Sequence, residues 1–202
     1  MTEKLSHQEK LVAAALVMIE KDGWRLLSLA HLARHSKVPI ETVYQLCPDK
    51  HALLKLIGAS IYIAALKRMS DPATDASPRD RAFDAVLTCF EAMAPCKPAL
   101  GRIHEETRAD PGSWLDAAPI FVRSAHWIAD NANLPTTGLR GFATARAIAL
   151  LLADTMAVWL SDGDDLSKTM AHVDRRLRLA ESWLEALHGL GQKQPEGNQP
   201  AD

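Results

Sequence analysis

The sequence predicts an all-α fold: an N-terminal three-helix head, a long linking helix, and a helical body, about nine helices in all. Three observations predict it. Almost half of the 202 residues are hydrophobic while only 5% are aromatic, and Ala and Leu lose least on entering helices. No run of alternating β-branched residues with hairpin turns interrupts them. The last long segment repeats apolar residues every three and four positions, which only a helix turns into one face.

The first helix opens at Ser6-His7-Gln8-Glu9, with capping-box spacing. Leu11, Val12, Ala15, Leu16 and Ile19 form its buried stripe, and Gly23 supplies a left-handed stop. Trp24 with Leu26 or Leu27 plugs the junction to the next helix. Ser28 caps a short helix whose Leu29, Leu32, Ala33 and Ser36 share a face. Pro39 stands where a first helical turn tolerates a missing N–H. A second short helix, Ile40 to Leu46, turns Val43 and Ile40 inward and Glu41, Thr42 and Gln45 outward. This is the outline of a helix-turn-helix, whose second helix can enter a DNA major groove. A plain helical hairpin would show the same periodicity.

Asp49 caps the linking helix, which runs through Leu53, Leu54, Ile57 and Ile61 to about Met69. At 1.5 Å per residue it spans about 30 Å. A loop from Ser70 leads to Ser77-Pro78, a cap followed by proline at the first helical position. Helices follow over 78–94, 97–109 and 113–133, divided by Pro95, Pro98, Asp110-Pro111-Gly112 and Pro135. The boundaries expected are a head over 1–48, a body over 49–190 and a disordered polar tail over 191–202.

Two helices close the chain. The first, 138–161, is apolar on nearly every side and long enough to cross a bilayer. Arg146 and Asp154 lie within it, each costing roughly 2.5–3.5 kcal/mol at mid-membrane, so burial among other helices is the expectation and no membrane span is assigned. The second, 165–188, carries Leu166, Met170, Val173, Leu177, Ala180, Leu184 and Leu187 in a heptad seam. Pairing the two with their copies would give a four-helix homodimer interface. Its expected residues are Ile148, Leu152, Trp159, Met170, Val173, Leu177 and Leu184.

Charge is asymmetric beneath a net −2. Residues 1–70 hold ten Lys/Arg and six Asp/Glu, a net +4, and the remainder holds thirteen and nineteen, a net −6. A basic head on an acidic body suits contact with phosphate at one end. Cys47, Cys89 and Cys96 show no CxxC pair, so neither zinc nor a disulfide framework is expected. The N-terminus lacks the apolar core of a signal peptide, and a cytoplasmic location is expected. No nucleophile–base arrangement or phosphate loop stands out, so no enzyme activity, cofactor or metal is assigned. His104-Glu105-Glu106 puts Arg108 where a helical metal motif needs a ligand, and reads as solvated surface. Phe83, Leu87, Phe90, Trp114, Phe121 and Trp127 are the candidates for lining an apolar ligand cavity between helices, with Arg123 or His126 as a polar contact.

Gly23-Trp24, Leu29, Leu32-Ala33, Val38, Thr42, Val43-Tyr44 and Lys50, on this succession of helices, resemble the TetR family of transcriptional repressors. The motif-level match covers roughly residues 8–60. The resemblance implies a homodimeric one-component regulator that binds palindromic double-stranded operator DNA. A small apolar ligand in its body would change the spacing of the two heads. By position, Thr42, Tyr44 and Lys50 match the family's phosphate-contacting residues, with Lys37, Glu41 and Gln45 beside them. The chain departs from the family pattern with Lys37 in place of Gly, Pro39 in place of a capping Ser, and Gln45-Leu46-Cys47 after the Tyr. Its reading helix has no cation, so weaker or more selective DNA binding is expected. The second half, from Arg146 through Val158-Trp159-Leu160-Ser161-Asp162 to Thr169-Met170-Ala171-His172-Val173-Asp174-Arg175-Arg176, is also similar to the TetR-fold lipid-binding accessory proteins of ubiquinone biosynthesis. Those imply lipid binding without DNA binding.

Overall fold

In the computed structural model, residues 6–69 and 76–191 are described, with side chains except at 111, 113–116 and 182–191. Nine α-helices and no strand occur among the described residues. Helix α1 (His7–Asp22) carries the complete capping box. Ser6 Oγ accepts from the Glu9 N–H at 3.2 Å, and the Glu9 carboxylate accepts from the Ser6 N–H at 2.7 Å. Gly23 ends it at φ 90°, a conformation that a side chain would strain. Helix α2 (Leu29–Ser36) is capped by Ser28, and α3 (Ile40–Leu46) follows Pro39 with no side-chain cap. Between them Lys37 adopts the left-handed conformation at φ 56°, ψ 31°.

Helix α4 (Lys50–Leu66) starts on Asp49, whose carboxylate accepts from the Ala52 N–H at 2.7 Å, and it stops three residues short of the expected Met69. Helix α5 (Pro78–Met93) has the expected Ser77 cap and first-position proline. A short 3₁₀ turn (Ala94–Cys96) joins it to α6 (Lys97–Thr107). Helix α7 (Pro111–Asn131) continues through an internal Pro119. Helices α8 (Gly138–Leu160) and α9 (Ser167–Gly191) complete the chain. The expected disordered tail lies outside the described residues beyond Gly191.

Two apolar cores organise these helices. The head core gathers Leu11, Ile19, Leu32, Val38, Val43 and Cys47, but also Leu53 and Ile57 of α4 and Ala99 and Ile103 of α6. The body core gathers Ala65 of α4 with Val86 and Phe90 of α5, Ile128 of α7, Ile148, Leu152 and Trp159 of α8, and Val173 of α9. Helix α4 therefore enters both cores, as its expected linking role requires, and α6 also reaches the head. Ile40, expected inward, is 36% exposed.

Helix α8 is, among the described residues, the one long and apolar enough to cross a membrane. Here it packs as a core helix between α7 and α9. Its buried residues, including Ala145, Ile148, Leu152, Thr155 and Trp159, lie on one face. Leu139, Phe142 and Leu150, at 85%, 56% and 71% exposure, mark the opposite face. Several residues expected at an interface on α8 and α9 lie on the buried face instead. Ile148, Leu152, Trp159 and Val173 are 5%, 4%, 0% and 0% exposed, consumed by the chain's own core. Leu177 packs on the same core, Met170 is 37% exposed, and the Leu184 side chain lies outside the described residues.

Polar residues fix the rotation of α9 against α8. Asp162 accepts from the Thr169 N–H at 2.7 Å and from its hydroxyl at 2.8 Å. His172 Nε2 shares a 2.8 Å hydrogen bond with Asp154 of α8, which also accepts from Arg176. Buried polar groups need such partners, so the Thr169–His172–Val173 face turns inward.

Candidate DNA-reading head and ligand cavity

The head presents α3 through its anchors. Val43, Val38 and Cys47 are buried, fixing α3 and the turn before it on α1 and α2. Glu41, Tyr44 and Gln45 are consequently exposed, Tyr44 by 51%, while Thr42 is half-buried. Lys37 is exposed at the preceding turn. Five of the six residues expected to face DNA thus lie along one short segment. This segment has the size and exposure to meet a groove, with one cation, Lys37, and one acid, Glu41.

Lys50 has a different surrounding. Its Nζ donates to the Trp24 carbonyl at 2.6 Å and the Arg25 carbonyl at 3.4 Å, and lies 4.6 Å from the centre of the Trp24 ring. Partial burial lowers its pKa, with the Glu106 charge acting in the opposite direction. Two of its three N–H donors are committed to the α1–α2 turn, leaving one for a phosphate. Glu106 fastens the same turn from the other side. Its carboxylate accepts from the Arg25 N–H at 2.7 Å, and its carbonyl accepts from the Arg25 guanidinium at 2.9 Å. A Cβ on Gly23 would stand 2.3 Å from a Glu106 carboxylate oxygen, so glycine also permits this close approach.

Sequence reasoning placed Glu106 on a solvated surface and missed this contact. The partners are 81 residues apart, and no local spacing links them. His104 was read the same way, yet it lines a cavity.

That cavity, about 160 Å³, lies between α4, α5, α6, α7 and α8. Its walls include Leu54, Ile57 and Ile61 of α4, with Met93, Leu100, Ile103 and Met156 from the other helices. Of the residues expected to line it, Phe90 and Phe121 do. Phe83 and Leu87 are not among its lining residues. Trp127 is buried behind Tyr62, against which its ring stands edge-on at 5.3 Å. The Trp114 side chain lies outside the described residues. Leu152, expected at a dimer interface, lines the cavity instead. Burial pushes the Cys89 thiol at its edge up to about 12, so that thiol stays neutral. Polar atoms come from Tyr62, His104, Thr107, Arg108 and Ser124. Among the described residues no group of three His, Cys, Asp or Glu is placed to hold a metal ion.

The fold has counterparts among solved structures. The chain is similar to a TetR transcriptional regulator from Nitrosomonas europaea ATCC 19718, with a TM-score of 0.62 and 16% identity, over 87% of this chain and 98% of that one. It is similar to a TetR transcriptional regulator from Rhodococcus sp. RHA1, with a TM-score of 0.59 and 16% identity, over 86% and 93% of the two chains. The fold is the TetR fold. No protein-family model matches the chain, and no curated protein matches it either. Within this TetR fold, α4 and α6 both touch the head and the cavity. His104, Thr107 and Arg108 line the cavity, and Glu106 between them holds the head.

Proposed function

We propose that the chain is a TetR-like one-component regulator. It binds operator DNA as a homodimer through the segment Lys37–Gln45 and responds to a small apolar ligand in the α4–α8 cavity. The observation that carries this reading is the dual role of α6, whose consecutive residues line the cavity and grip the α1–α2 turn. A ligand that displaces α6 from the cavity side must move Glu106, and with it the contact that orients the head. The cavity is comparable in volume to an engineered apolar cavity of about 150 Å³ that stays dry and binds benzene, so a compact apolar group fits it. The homodimer uses the outer stripe of α8 with Leu139, Phe142 and Leu150, because large apolar residues so exposed along one helix mark an association surface.

The test is a gel shift with the DNA upstream of the protein's own gene. Salt-sensitive binding is expected, with affinity falling about tenfold or more in Tyr44→Ala as a phosphate contact is lost. Unchanged affinity in that variant would remove the head from the interface.

The tethering of Lys50 favours a second reading, in which the same cavity holds a lipid and no DNA is bound, as in the TetR-fold accessory proteins of ubiquinone biosynthesis. Native mass spectrometry of the purified chain separates the two. A co-purified apolar ligand with no gel shift supports the accessory role, and an unliganded protein that shifts DNA supports the regulator.

A further inference from the structure

A second chamber of about 160 Å³ opens beside the first, between α4 and α7. Gly58, Tyr62, Ile120 and Ser124 line both, so the two share a wall. That wall is thin at Gly58, where an added Cβ would meet Ile120 Cγ2 at 2.8 Å. Ile120 stands in that shared wall against Gly58. The second chamber differs in character from the first. Lys55 of α4 and Arg123 of α7, both exposed, line its mouth, and neither forms an ion pair among the described residues. Among the described residues, no Asp or Glu lines either chamber.

A largely apolar chamber adjoining one whose mouth carries two cations and a serine hydroxyl is complementary to a molecule with one apolar end and one anionic end. Low-dielectric walls strengthen the attraction of such a mouth for an anion, and hydrogen bonds to a charged group are about twice as strong as neutral ones. We propose that the ligand is a single-tailed anionic amphiphile, its tail in the α4–α8 cavity and its carboxylate or phosphate head between Lys55 and Arg123. This rests on the reading of that cavity as the ligand site and specifies its chemistry.

Calorimetric titration of the full chain with decanoate, decyl phosphate, decanol and decyltrimethylammonium tests it. One or both anions should bind at least about tenfold more tightly than decanol, and the cation should bind least. The tighter of the two anions identifies the head group. Lys55→Gln and Arg123→Gln should each weaken anion binding about tenfold, leave decanol binding unchanged, and leave the melting temperature of the unliganded protein unaltered. Arg108→Gln, at the far α6 end of the first chamber, should have no such effect. Decanol bound as tightly as the anions, with both variants silent, would overturn the anionic assignment while leaving the cavity reading intact. Failure of all four probes would overturn both. A loss confined to Arg108→Gln would place the head at the wrong end and equally overturn the assignment.

Discussion

Individual residues carry opposing demands in the head. Lys37 holds a left-handed conformation that costs a side-chain-bearing residue roughly 1–2 kcal/mol relative to glycine. It is also the one cation on the exposed segment before and along α3. Lys37→Gly is therefore expected to stabilise the fold by about 1 kcal/mol in denaturant melts while weakening DNA binding and flattening its salt dependence. A variant that is both less stable and unchanged on DNA would contradict both roles. Asp154 offers a pH-dependent counterpart. Burial alone would raise its pKa, but hydrogen bonds from His172 and Arg176, with their charges, hold it below the ordinary value. A carboxyl depressed in the folded state contributes stability above its unfolded pKa and loses it as pH falls through the folded value. Because the side chain is 42% exposed, the contribution is screened to under about 1 kcal/mol. Asp154→Asn should lower the melting temperature slightly near pH 7, with the difference shrinking as pH falls below the ordinary carboxyl value and through the depressed folded one. A difference that persisted in acid would place its origin in packing.

At the scale of elements, helices were legible wherever local chemistry dictates them. Ser6, Ser28, Asp49 and Ser77 all cap the helices expected of them, because a cap depends on residues within four positions. Rotation of a helix about its axis was less legible. The heptad of α9 pointed to Met170 and Val173 as equals, but Asp154 and Asp162 draw Thr169 and His172 inward and leave Met170 at 37% exposure. The cavity lining was legible in part for the same reason. Phe90 and Phe121 sit at the level where α4 to α8 diverge, and Phe83 does not, a distinction of height along the bundle that periodicity does not encode. The head core makes its own prediction. Leu32 is fully buried among residues of α1, α3 and α4, so Leu32→Ala should cost about 2–5 kcal/mol of unfolding free energy. A cost under about 1 kcal/mol, the range for tolerated surface changes, would contradict the packing of α2.

For the whole molecule, two relations matter that no local window contains. One is the outer stripe of α8, which became visible only when the inner stripe was seen to be used by the chain itself. Leu150→Glu should convert a dimer into a monomer by sedimentation without loss of helicity, whereas Leu177→Glu should destabilise the chain, since Leu177 packs on the body core. An intact dimer in Leu150→Glu would place the interface elsewhere. The other relation is the grip of Glu106 on Arg25, which ties the cavity to the head across 81 residues. If that tie transmits ligand binding, its loss should uncouple two sites that each remain functional. The direct measurement is operator affinity by fluorescence anisotropy, with and without the tightest-binding ligand, in the natural chain and in Glu106→Gln. A ligand-dependent change of roughly 5–150-fold in the natural chain, reduced to less than twofold in a Glu106→Gln protein that still binds ligand, is the predicted result. An equal ligand effect in both proteins, or no operator binding by the natural chain at all, would contradict the account.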